Sequence, residues 1–569
     1  MGMRAFRFSI LAILSVVAAF GQPRTASSKL APELAGLYSD QSVDVIVQYR
    51  ERPTDFHRSL ATRRGGRLVR SLDIINSHHY RIPASQLAEL ADDPTVELIH
   101  PDREVHATAT SVQPDYAWVS LLNLPSSNSS YGYTGSGVIV AVIDSGIDAA
   151  HDLGEEGGHI VYKQSFVAGD SSTGDAYGHG THVAGIIGGN GYNSTSNYVV
   201  QGLAPSVKLV NLRVLDQYGV STDSTVIAAI QQAITLKAAG KYNIRIINLS
   251  LGRPVTTSYK TDPLCQAVEA AWNAGIVVVV AAGNWGRYAP TAGYGTIMSP
   301  ANDPYVITVG AMNTNATLAR SDDKMASYSS KGPTAIDHIV KPDLVAPGNR
   351  ILSLRSTGSS LVNQLLSFLY PSVYLQLSGT SMAAPMVSGT AALLLEQNPN
   401  LTPDQVKAKL MSTASKTIPA ATCAAGQTCP TQAYKSTSAT DPILGTTYTS
   451  YYDVFTLGAG YLDSNAALTA SSTPPASLAA TSPTAVYASN GAVTLVNGSS
   501  VIWGTSVTWG TSVIWGTSVL SGNSVIWGTS VIWGTNAPSA NSVIWGTSVT
   551  WGTSAPASDN LILSLLGEQ

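Results

Sequence analysis

Residues 138–148 read VIVAVIDSGID, an apolar, largely β-branched run that ends at Asp144 and is followed by a glycine-containing turn. Short runs of this kind are typical of strands that are buried on both faces of a parallel sheet. A carboxylate at the end of such a strand is costly to bury unless a cationic or hydrogen-bonding group meets it. Asp144 is therefore predicted to have a partner close by.

Strands and helices alternate around this stretch, from about residue 111 to residue 471. Further strands are predicted over 207–214, 244–250, 276–282 and 306–309, and helices over 226–239 and 263–274. This alternation predicts an α/β fold with a central, mostly parallel sheet that is covered by helices. Sites in such sheets form at the carboxyl ends of the strands, which is where Asp144 lies.

Two more stretches supply candidate partners. Residues 175–186, DAYGHGTHVAGI, place His179 at a helix start, and residues 379–385, GTSMAAP, place Ser381 at the start of a helix predicted over 382–397. Backbone N–H groups and the positive end of a helix dipole can stabilise an oxyanion, so this position suits a nucleophile. Taken alone, the serine is equally typical of a packed helix start, and His179 with His182 resembles a metal-binding pair. The sequence argues against a metal site, because it has neither the glutamate of a zincin motif nor a third ligand near the two histidines.

Taken together, the three stretches resemble the motifs of the subtilisin-like serine proteases (subtilases, peptidase S8 family), in the order Asp, His, Ser. Residues 248–252 (NLSLG), 281–284 (AAGN) and 341–348 (KPDLVAPG) extend the resemblance, which covers roughly residues 42–471. It implies a serine endopeptidase with a subtilisin-like three-layer fold. Ser381 would attack the peptide carbonyl, His179 would take the serine proton, and Asp144 would orient the imidazole.

The resemblance also implies the rest of the site. Asn284 matches the side-chain donor of the oxyanion hole, and the Ser381 N–H would be the second donor. The substrate would be flanked by two short segments, Ser250, Leu251 and Gly252 on one side and Ala281, Ala282 and Gly283 on the other. Trp285 follows the oxyanion donor: at the rim of the P1 pocket it would favour a large apolar P1 residue, and the alternative is that it covers the core.

Many members of this family bind calcium, but the sequence departs from the family pattern. Asp152 corresponds to a family ligand, yet the preceding residue is His151, without the proline of the His-Pro-Asp pattern. The loop over 188–200 is longer than the family's calcium loop, and an EF-hand pattern is missing. We expect catalysis to need no cofactor, and a structural calcium ion is left open with its ligands unassigned.

The N-terminal part of the chain resembles a leader and a pro-region. Residues 1–21 carry two arginines, an apolar run and a small-residue cleavage site, which predict a signal peptide and a secreted protein, extracellular or at the cell surface. A short membrane anchor is the alternative. After a spacer over 22–41, residues 42–108 are predicted to form a small α+β module. The resemblance implies an inhibitor-type propeptide that is removed autocatalytically near Thr108, within 106–113, leaving a catalytic domain over 109–470.

Beyond the catalytic domain the composition changes to a Ser/Pro/Ala linker over 471–497 and a Trp-rich hexapeptide repeat tail over 498–569. The repeat Ser-Val-Ile/Thr-Trp-Gly-Thr has an even period, which keeps each residue type on one face of an extended chain. Its tryptophans are in register: Trp503, Trp509, Trp515, Trp527, Trp533, Trp545 and Trp551. They could contact a cell surface or polysaccharide, or form a packing ladder inside a β-stack.

The overall composition limits which partners and disulfides the chain could have. The chain has 569 residues, a formal net charge of −4 and 12% charged residues, so it carries no footprint for nucleic acid. The expected partners are polypeptide substrates and the chain's own propeptide. Cys265 is predicted to be a buried free thiol, while Cys423 and Cys429 could close a small loop. A catalytically inactive binding protein that displays the repeats is the rival function, and the retained triad and oxyanion residues argue against it.

Overall fold

A computed structural model describes residues 29–37, 39–107, 132–148, 152–153, 158–194, 200–315, 317, 319–364, 373–416, 418, 422–423, 435–441, 445–487 and 493–496. The predicted signal peptide, most of the predicted cleavage window, Cys429 and the Trp-rich tail lie outside these residues. Two bodies of structure are described, an N-terminal module and a larger α/β domain.

The N-terminal module is a four-stranded antiparallel sheet with two short helices. Its elements are β1 (Ser42–Tyr49), α1 (Asp55–Thr62), β2 (Arg67–Leu72), β3 (Ser77–Pro83), α2 (Leu87–Ala91) and β4 (Val96–Pro101), with strand order β2-β3-β1-β4. Alternation along β1 gives the sheet two apolar faces. Val45 and Val47 lie in the module's own core, whereas Ile46 belongs to the core of the larger domain. The module therefore packs its second face on that domain.

The larger domain contains the remaining elements, and β5, the last strand of the N-terminal chain segment, is given with them because it pairs with two strands of this domain. Its strands are β5 (Glu104–Ala107), β6 (Ile139–Asp144), β7 (Ile160–Ser165), β8 (Lys208–Arg213), β9 (Val220–Thr222), β10 (Ile244–Leu249), β11 (Leu251–Gly252), β12 (Val277–Ala281), β13 (Ile307–Asn313), β14 (Lys324–Met325), β15 (Leu344–Pro347), β16 (Ile351–Leu354), β17 (Tyr374–Leu377), β18 (Thr422–Cys423), β19 (Lys435–Thr440), β20 (Thr447–Tyr451), β21 (Thr484–Tyr487) and β22 (Val493–Val496). Its helices are α3 (His179–Gly188), α4 (Asp223–Ala238), α5 (Pro263–Asn273), α6 (Ser360–Gln364), α7 (Thr380–Gln397), α8 (Pro403–Thr413), α9 (Val454–Leu457) and α10 (Ser464–Thr469).

The central sheet has the order β14-β13-β12-β10-β6-β8-β7, with β15 also paired to β13. All of these pairings are parallel except that between β13 and β14. The predicted α/β fold with a mostly parallel sheet is confirmed. The strand starting at residue 276 in the prediction begins at Val277 instead, and most other ends shift by a similar amount because strand ends depend on pairing partners.

Two pairs of helices cover the sheet. Helices α3 and α7 contact each other, and α4 and α5 form a second pair. Nearly all of α7 is buried, which explains its small residues: the helix runs through the core against the sheet. Among the described residues, we find no helix with both the length and the apolar character needed to cross a membrane.

The chain after α10 folds back onto the larger domain. The N–H of Ala480 donates to Asp404 at 2.7 Å, and the N–H of Ser482 donates to the carbonyl of Pro304 at 2.9 Å. The Ser482 hydroxyl also donates to the buried carboxylate of Asp343 at 2.6 Å, beside the ammonium of Lys407. Residues 480–485, which we call the strap, thus belong to the packed domain, although the sequence predicts a linker there.

Candidate active site

Asp144 and His179 meet at the carboxyl end of the central sheet. Asp144 is the last residue of β6, and His179 is the first residue of α3. The Nδ1 atom of His179 lies 2.7 Å from Oδ1 of Asp144, and both side chains are almost completely buried. Nε2 of His179 has no hydrogen-bond partner among the described residues. The carboxylate therefore fixes one ring nitrogen and leaves the other able to accept a proton.

The start of α3 is held by a second carboxylate, Asp175. Its two oxygens accept hydrogen bonds from the Ser145 hydroxyl and from the N–H groups of Gly178 and Thr181, each at 2.7 Å. Burial raises the pKa of the Asp175 carboxyl, and these hydrogen bonds oppose that rise. The sequence analysis did not assign a role to Asp175. In the sequence, the indication of such a role is that an aspartate, a residue type favoured at helix N-termini, lies four residues before His179.

Glycines make the close approach of α3 and β6 possible. Gly178 has φ +104°, a conformation that disfavours other residues. A Cβ atom at Gly180 would overlap the carbonyl oxygen of Gly146, in the turn after Asp144. Two of the glycines in the quoted motifs therefore allow the histidine to reach the carboxylate.

Ser381 is the second residue of α7 and is completely buried. Its hydroxyl donates to the carbonyl of Ser250 at 3.0 Å, and Nε2 of His179 has no hydrogen-bond partner among the described residues, so the serine and the histidine are not hydrogen-bonded to each other in this structure. Its own carbonyl accepts from the Ser250 hydroxyl at 2.9 Å. Pro385 lies four residues later inside the helix, where its missing N–H would otherwise have bonded this carbonyl. Ser250 therefore replaces the lost helix bond next to the serine.

Asn284 follows β12 and faces the residue before the serine. Its Oδ1 atom accepts from both the N–H and the hydroxyl of Thr380, each at 2.9 Å. The Thr380 hydroxyl in turn accepts from the N–H of Gly283 at 3.1 Å. Because Oδ1 is held in this way, the orientation of the amide is fixed, and its Nδ2 is the end directed away from Thr380.

The two segments predicted to flank the substrate lie close together, and one of them is already paired. Leu251 and Gly252 form β11, which pairs antiparallel with Ala107 and His106 of β5. On its other edge β5 pairs with β9, residues Val220–Thr222, which the sequence analysis missed. Ala281 ends β12, and Ala282 and Gly283 lead directly to Asn284. β9 is too short to be found by periodicity, since only its pairing with β5 defines it.

Three further aromatic or imidazole side chains lie near the site, His182, Tyr177 and Trp285. Nε2 of His182 contacts the carbonyls of Ile351 and Leu375 at 3.0 Å. Burial, and then the neighbouring His179, lower the pKa of His182 to about 3, so it stays neutral. Burial raises the pKa of Tyr177 to about 12, with Asp144 and Asp175 adding to the effect. Trp285 is half-buried and its N–H donates to the Ser330 hydroxyl at 3.1 Å, and its predicted effect on P1 preference stays a prediction.

The surroundings of Asp152 were compared with what calcium needs. Asp152 is buried, with one carboxylate oxygen accepting from the N–H of Asn193 at 2.7 Å and the other from the Tyr374 hydroxyl at 3.2 Å. Calcium in proteins is bound by several oxygen ligands, of which Asp152 could supply one. Both carboxylate oxygens of Asp152 thus accept hydrogen bonds from protein donors, and a calcium ion here stays a prediction. Across the described part of the chain, three or more His, Cys, Asp or Glu side chains do not gather in metal-binding geometry. Cys265 is buried and free, as predicted.

Comparison with known proteins agrees with this geometry. The model of the subtilase family, Peptidase_S8, matches residues 135–445. Serine protease AprX of Bacillus subtilis is 36% identical over 390 residues, which is 67% of this chain and 84% of AprX. Subtilisin E of the same organism is 36% identical over 398 residues, covering 68% of this chain and 90% of that protein.

A solved structure shows the same fold. Fervidolysin from Fervidobacterium pennivorans, a keratinolytic enzyme related to subtilisin, superposes with a TM-score of 0.57 at 22% identity. The match covers 78% of this chain and 62% of the fervidolysin chain. Site geometry and sequence matches lead to the same conclusion: the chain belongs to the subtilase family of serine endopeptidases.

Proposed function

We propose that this endopeptidase cuts peptide bonds with Ser381 as nucleophile, His179 as general base and acid, and Asp144 as the group that holds the imidazole. The observation that carries the proposal is the buried 2.7 Å contact between Asp144 and Nδ1 of His179, which leaves Nε2 without another partner among the described residues. This contact fixes the tautomer with the proton on Nδ1, and that tautomer allows Nε2 to accept the serine proton.

The reaction then follows from the contacts around the serine. The Ser381 hydroxyl turns from the Ser250 carbonyl toward Nε2, attacks the substrate carbonyl carbon and transfers its proton to the imidazole. The oxyanion accepts hydrogen bonds from Nδ2 of Asn284 and the N–H of Ser381. His179 next gives the proton to the leaving amine as the C–N bond breaks. Water attacks the acyl-enzyme by the same route and releases the acid and free Ser381.

The N-terminal module is proposed to be an inhibitor-type propeptide that the enzyme removes itself. β5 supports this role, because its residues fill the position between β9 and β11 in the manner of an extended peptide substrate. Val105 is fully buried in the core of the larger domain. The register with β11 ends at Ala107, one residue before Thr108, so the bond after Thr108 is the expected cut.

Asp102 of the module strengthens its attachment to the larger domain. Its carboxylate accepts from the N–H of Ser224 at 2.6 Å and from the Ser224 hydroxyl at 2.5 Å, in the first turn of α4. An acidic group at a helix N-terminus is favoured by the helix dipole. Such a contact suits a module that must bind its own domain until the chain is cut.

Further proposals rest on the sequence. We propose secretion from the pattern of residues 1–21, cofactor-independent catalysis, and contact of the Trp repeats with a cell surface or polysaccharide. A structural calcium ion with unassigned ligands stays a prediction.

The experiment is expression of the full-length chain and of Ser381→Ala, followed by intact mass and hydrolysis of casein. We expect the wild type to lose a fragment that ends at Thr108 and to hydrolyse casein, and the variant to stay uncut. Subtilisin itself loses on the order of 10⁶-fold in kcat when its serine is removed. A folded wild type that stays whole and inert, with or without added calcium, would instead support the inactive binding protein.

A further inference from the structure

The segment that carries Asn284 is attached to a part of the chain far away in sequence. We call residues 283–288 the oxyanion segment. One side of it is bound to residues 327–330, because the N–H of Gly286 donates to the carbonyl of Tyr328 at 2.7 Å and the N–H of Trp285 to the Ser330 hydroxyl at 3.1 Å. The other side is bound to the antiparallel pair β19–β20.

Arg287 makes the attachment to β19–β20. Its Nη1 atom lies 2.6 Å from Oδ2 of Asp441, and the two side chains are 7% and 5% exposed. The guanidinium lies over the ring of Tyr448, 4.7 Å from the ring centroid. Nε donates to the Ser327 hydroxyl at 2.6 Å. The planar guanidinium thus contacts three separate partners at once, which a lysine could not do.

β19–β20 is itself anchored. The N–H of Asp441 donates to the carbonyl of Thr446 at 2.8 Å, and the strands are in register from Ser436 with Tyr451 to Thr440 with Thr447. At the other end, the Thr437 hydroxyl is 2.9 Å from the hydroxyl of Tyr452, which is completely buried and accepts from the N–H of Met325. Asp441 therefore directly follows a strand pair that is itself hydrogen-bonded to the rest of the domain.

We propose that Arg287 and Asp441 are positioning residues for hydrolysis: by docking β19–β20 on the oxyanion segment, they set the position from which Nδ2 of Asn284 donates to the oxyanion. The proposal rests on the proposed role of Asn284. Neither residue needs to touch the substrate. Thr380 fixes the amide oxygen of Asn284, while Arg287, three residues along the chain, fixes the backbone that carries it.

The expected effect falls on kcat. A misplacement of 1 Å can cost about 10²-fold in rate, so we expect Arg287→Met and Asp441→Asn each to lower kcat about 10-fold with KM within about twofold. Because the two residues act as a pair, the double variant should cost no more than the larger single loss. Arg287→Lys, which keeps the charge beside Asp441, should recover part of kcat.

The chain offers a matched control. Arg320 lies 3.6 Å from Asp463 and over the ring of Tyr461 at 4.2 Å, so it repeats the combination of ion pair and aromatic stacking away from the oxyanion segment. Arg320→Met should lower the melting temperature to a similar degree and leave kcat unchanged. An equal loss of kcat in both variants would overturn the proposal, because it would make the effect one of general stability.

A double-mutant cycle with Asn284→Ala separates positioning from other causes. If Arg287 acts through Asn284, the Arg287→Met change should lower kcat in the wild type and leave it within about twofold in the Asn284→Ala background. If the fold-losses in kcat of the two single variants multiply in the double variant, Arg287 acts independently of Asn284. That result would overturn the inference without affecting the proposed role of Asn284. If Asn284→Ala alone leaves kcat unchanged, the oxyanion role fails, and this inference fails with it.

Discussion

The two sides of the catalytic cleft are built differently. On the histidine side, the side-chain hydrogen bonds that join Asp144, Ser145, Asp175 and His179 connect residues at most 35 positions apart, in the turn after β6 and the start of α3. On the serine side, Ser381 bonds to Ser250, 131 positions away in the chain. Its neighbour Thr380 bonds to Asn284 and Gly283, which are 96 and 97 positions away. The proposed base is thus positioned by contacts between neighbouring motifs, whereas the proposed nucleophile and oxyanion donor depend on contacts between segments about 100 or more positions apart.

The largest expected effect lies on the histidine side. Asp144→Asn should lower kcat by about 10⁴-fold, because an amide cannot hold the required tautomer of His179. Asp148→Asn is the matched control in the same turn, since Asp148 accepts from the N–H of Asp175 at 3.0 Å without touching His179. Steady-state kinetics on a peptide substrate measure both. Equal losses in the two variants would mean that the turn as a whole, and not the Asp144 contact, is what matters.

Lowering the pH should weaken the attachment of the N-terminal module, which contacts the serine side through the pairing of β5 with β11. His100 pairs across β1–β4 with Ile46, on the face packed against the larger domain, and neither ring nitrogen has a hydrogen-bond partner among the residues that the structure describes. Burial, and then Arg103, lower the pKa of His100 to about 4 from 6.5; Arg253 lowers it further, and Asp262 and Glu33 oppose them. The released module takes up the proton more readily, so attachment is full above pH 6.5 and weakens as the pH falls toward 4, by about 30-fold at pH 5.

Hydrogen exchange of the uncut Ser381→Ala chain measures this effect. Protection at β9 and β11 should fall between pH 7 and pH 5, after correction for intrinsic exchange, while α3 stays protected because the pKa of His182 is about 3. His100→Leu should remove most of the pH dependence. The same pH dependence with and without His100 would assign the effect to another group.

A smaller effect is expected from Asp175→Ala. The change leaves the N–H groups of Gly178 and Thr181 without their buried acceptor, at a cost of about 1–3 kcal/mol in the free energy of unfolding. We expect kcat to fall about 10-fold, because the start of α3 carries His179. Urea denaturation and kinetics provide the two readouts. Unchanged kcat in a folded but less stable variant would show that α3 is held by other contacts.

The smallest effect is expected on the serine side, from Thr380→Val. The near-isosteric change removes the hydroxyl that donates to Asn284 and accepts from Gly283, but keeps the N–H of Thr380. We expect kcat to fall about threefold with little change in KM, since one of two bonds to Oδ1 survives and a neutral hydrogen bond contributes about 1 kcal/mol. A loss as large as that of Asn284→Ala would show that the hydroxyl, and not the N–H, sets the amide.

Much of this architecture could be predicted from local patterns. The runs before Asp144, Asn284 and residue 250 are rich in β-branched residues and form β6, β12 and β10, respectively. The stretch of small residues after Ser381 forms α7. Their type depends on residues next to one another, which the sequence displays directly. The pairing of Asp144 with His179 followed from motif order and the resemblance.

Other features depend on contacts that no local pattern records. β9 exists because β5 pairs with it, and the docking of Arg287 on Asp441 joins residues 154 positions apart. The strap was predicted as linker because its Ser, Pro and Ala composition resembles one, yet Ser482 is buried. The hydroxyl of Ser381 bonds to Ser250, a rotamer choice that composition cannot reveal.

The strap determines how the domain responds to changes at its C-terminal end. A truncation before Ser482 would remove a hydroxyl from the buried Lys407 and Asp343 pair, so the shortest stable protease should extend to about Tyr487, the end of β21. We therefore expect that residues beyond the strap can be exchanged or removed without disturbing the contacts that Ala480 and Ser482 make with the domain.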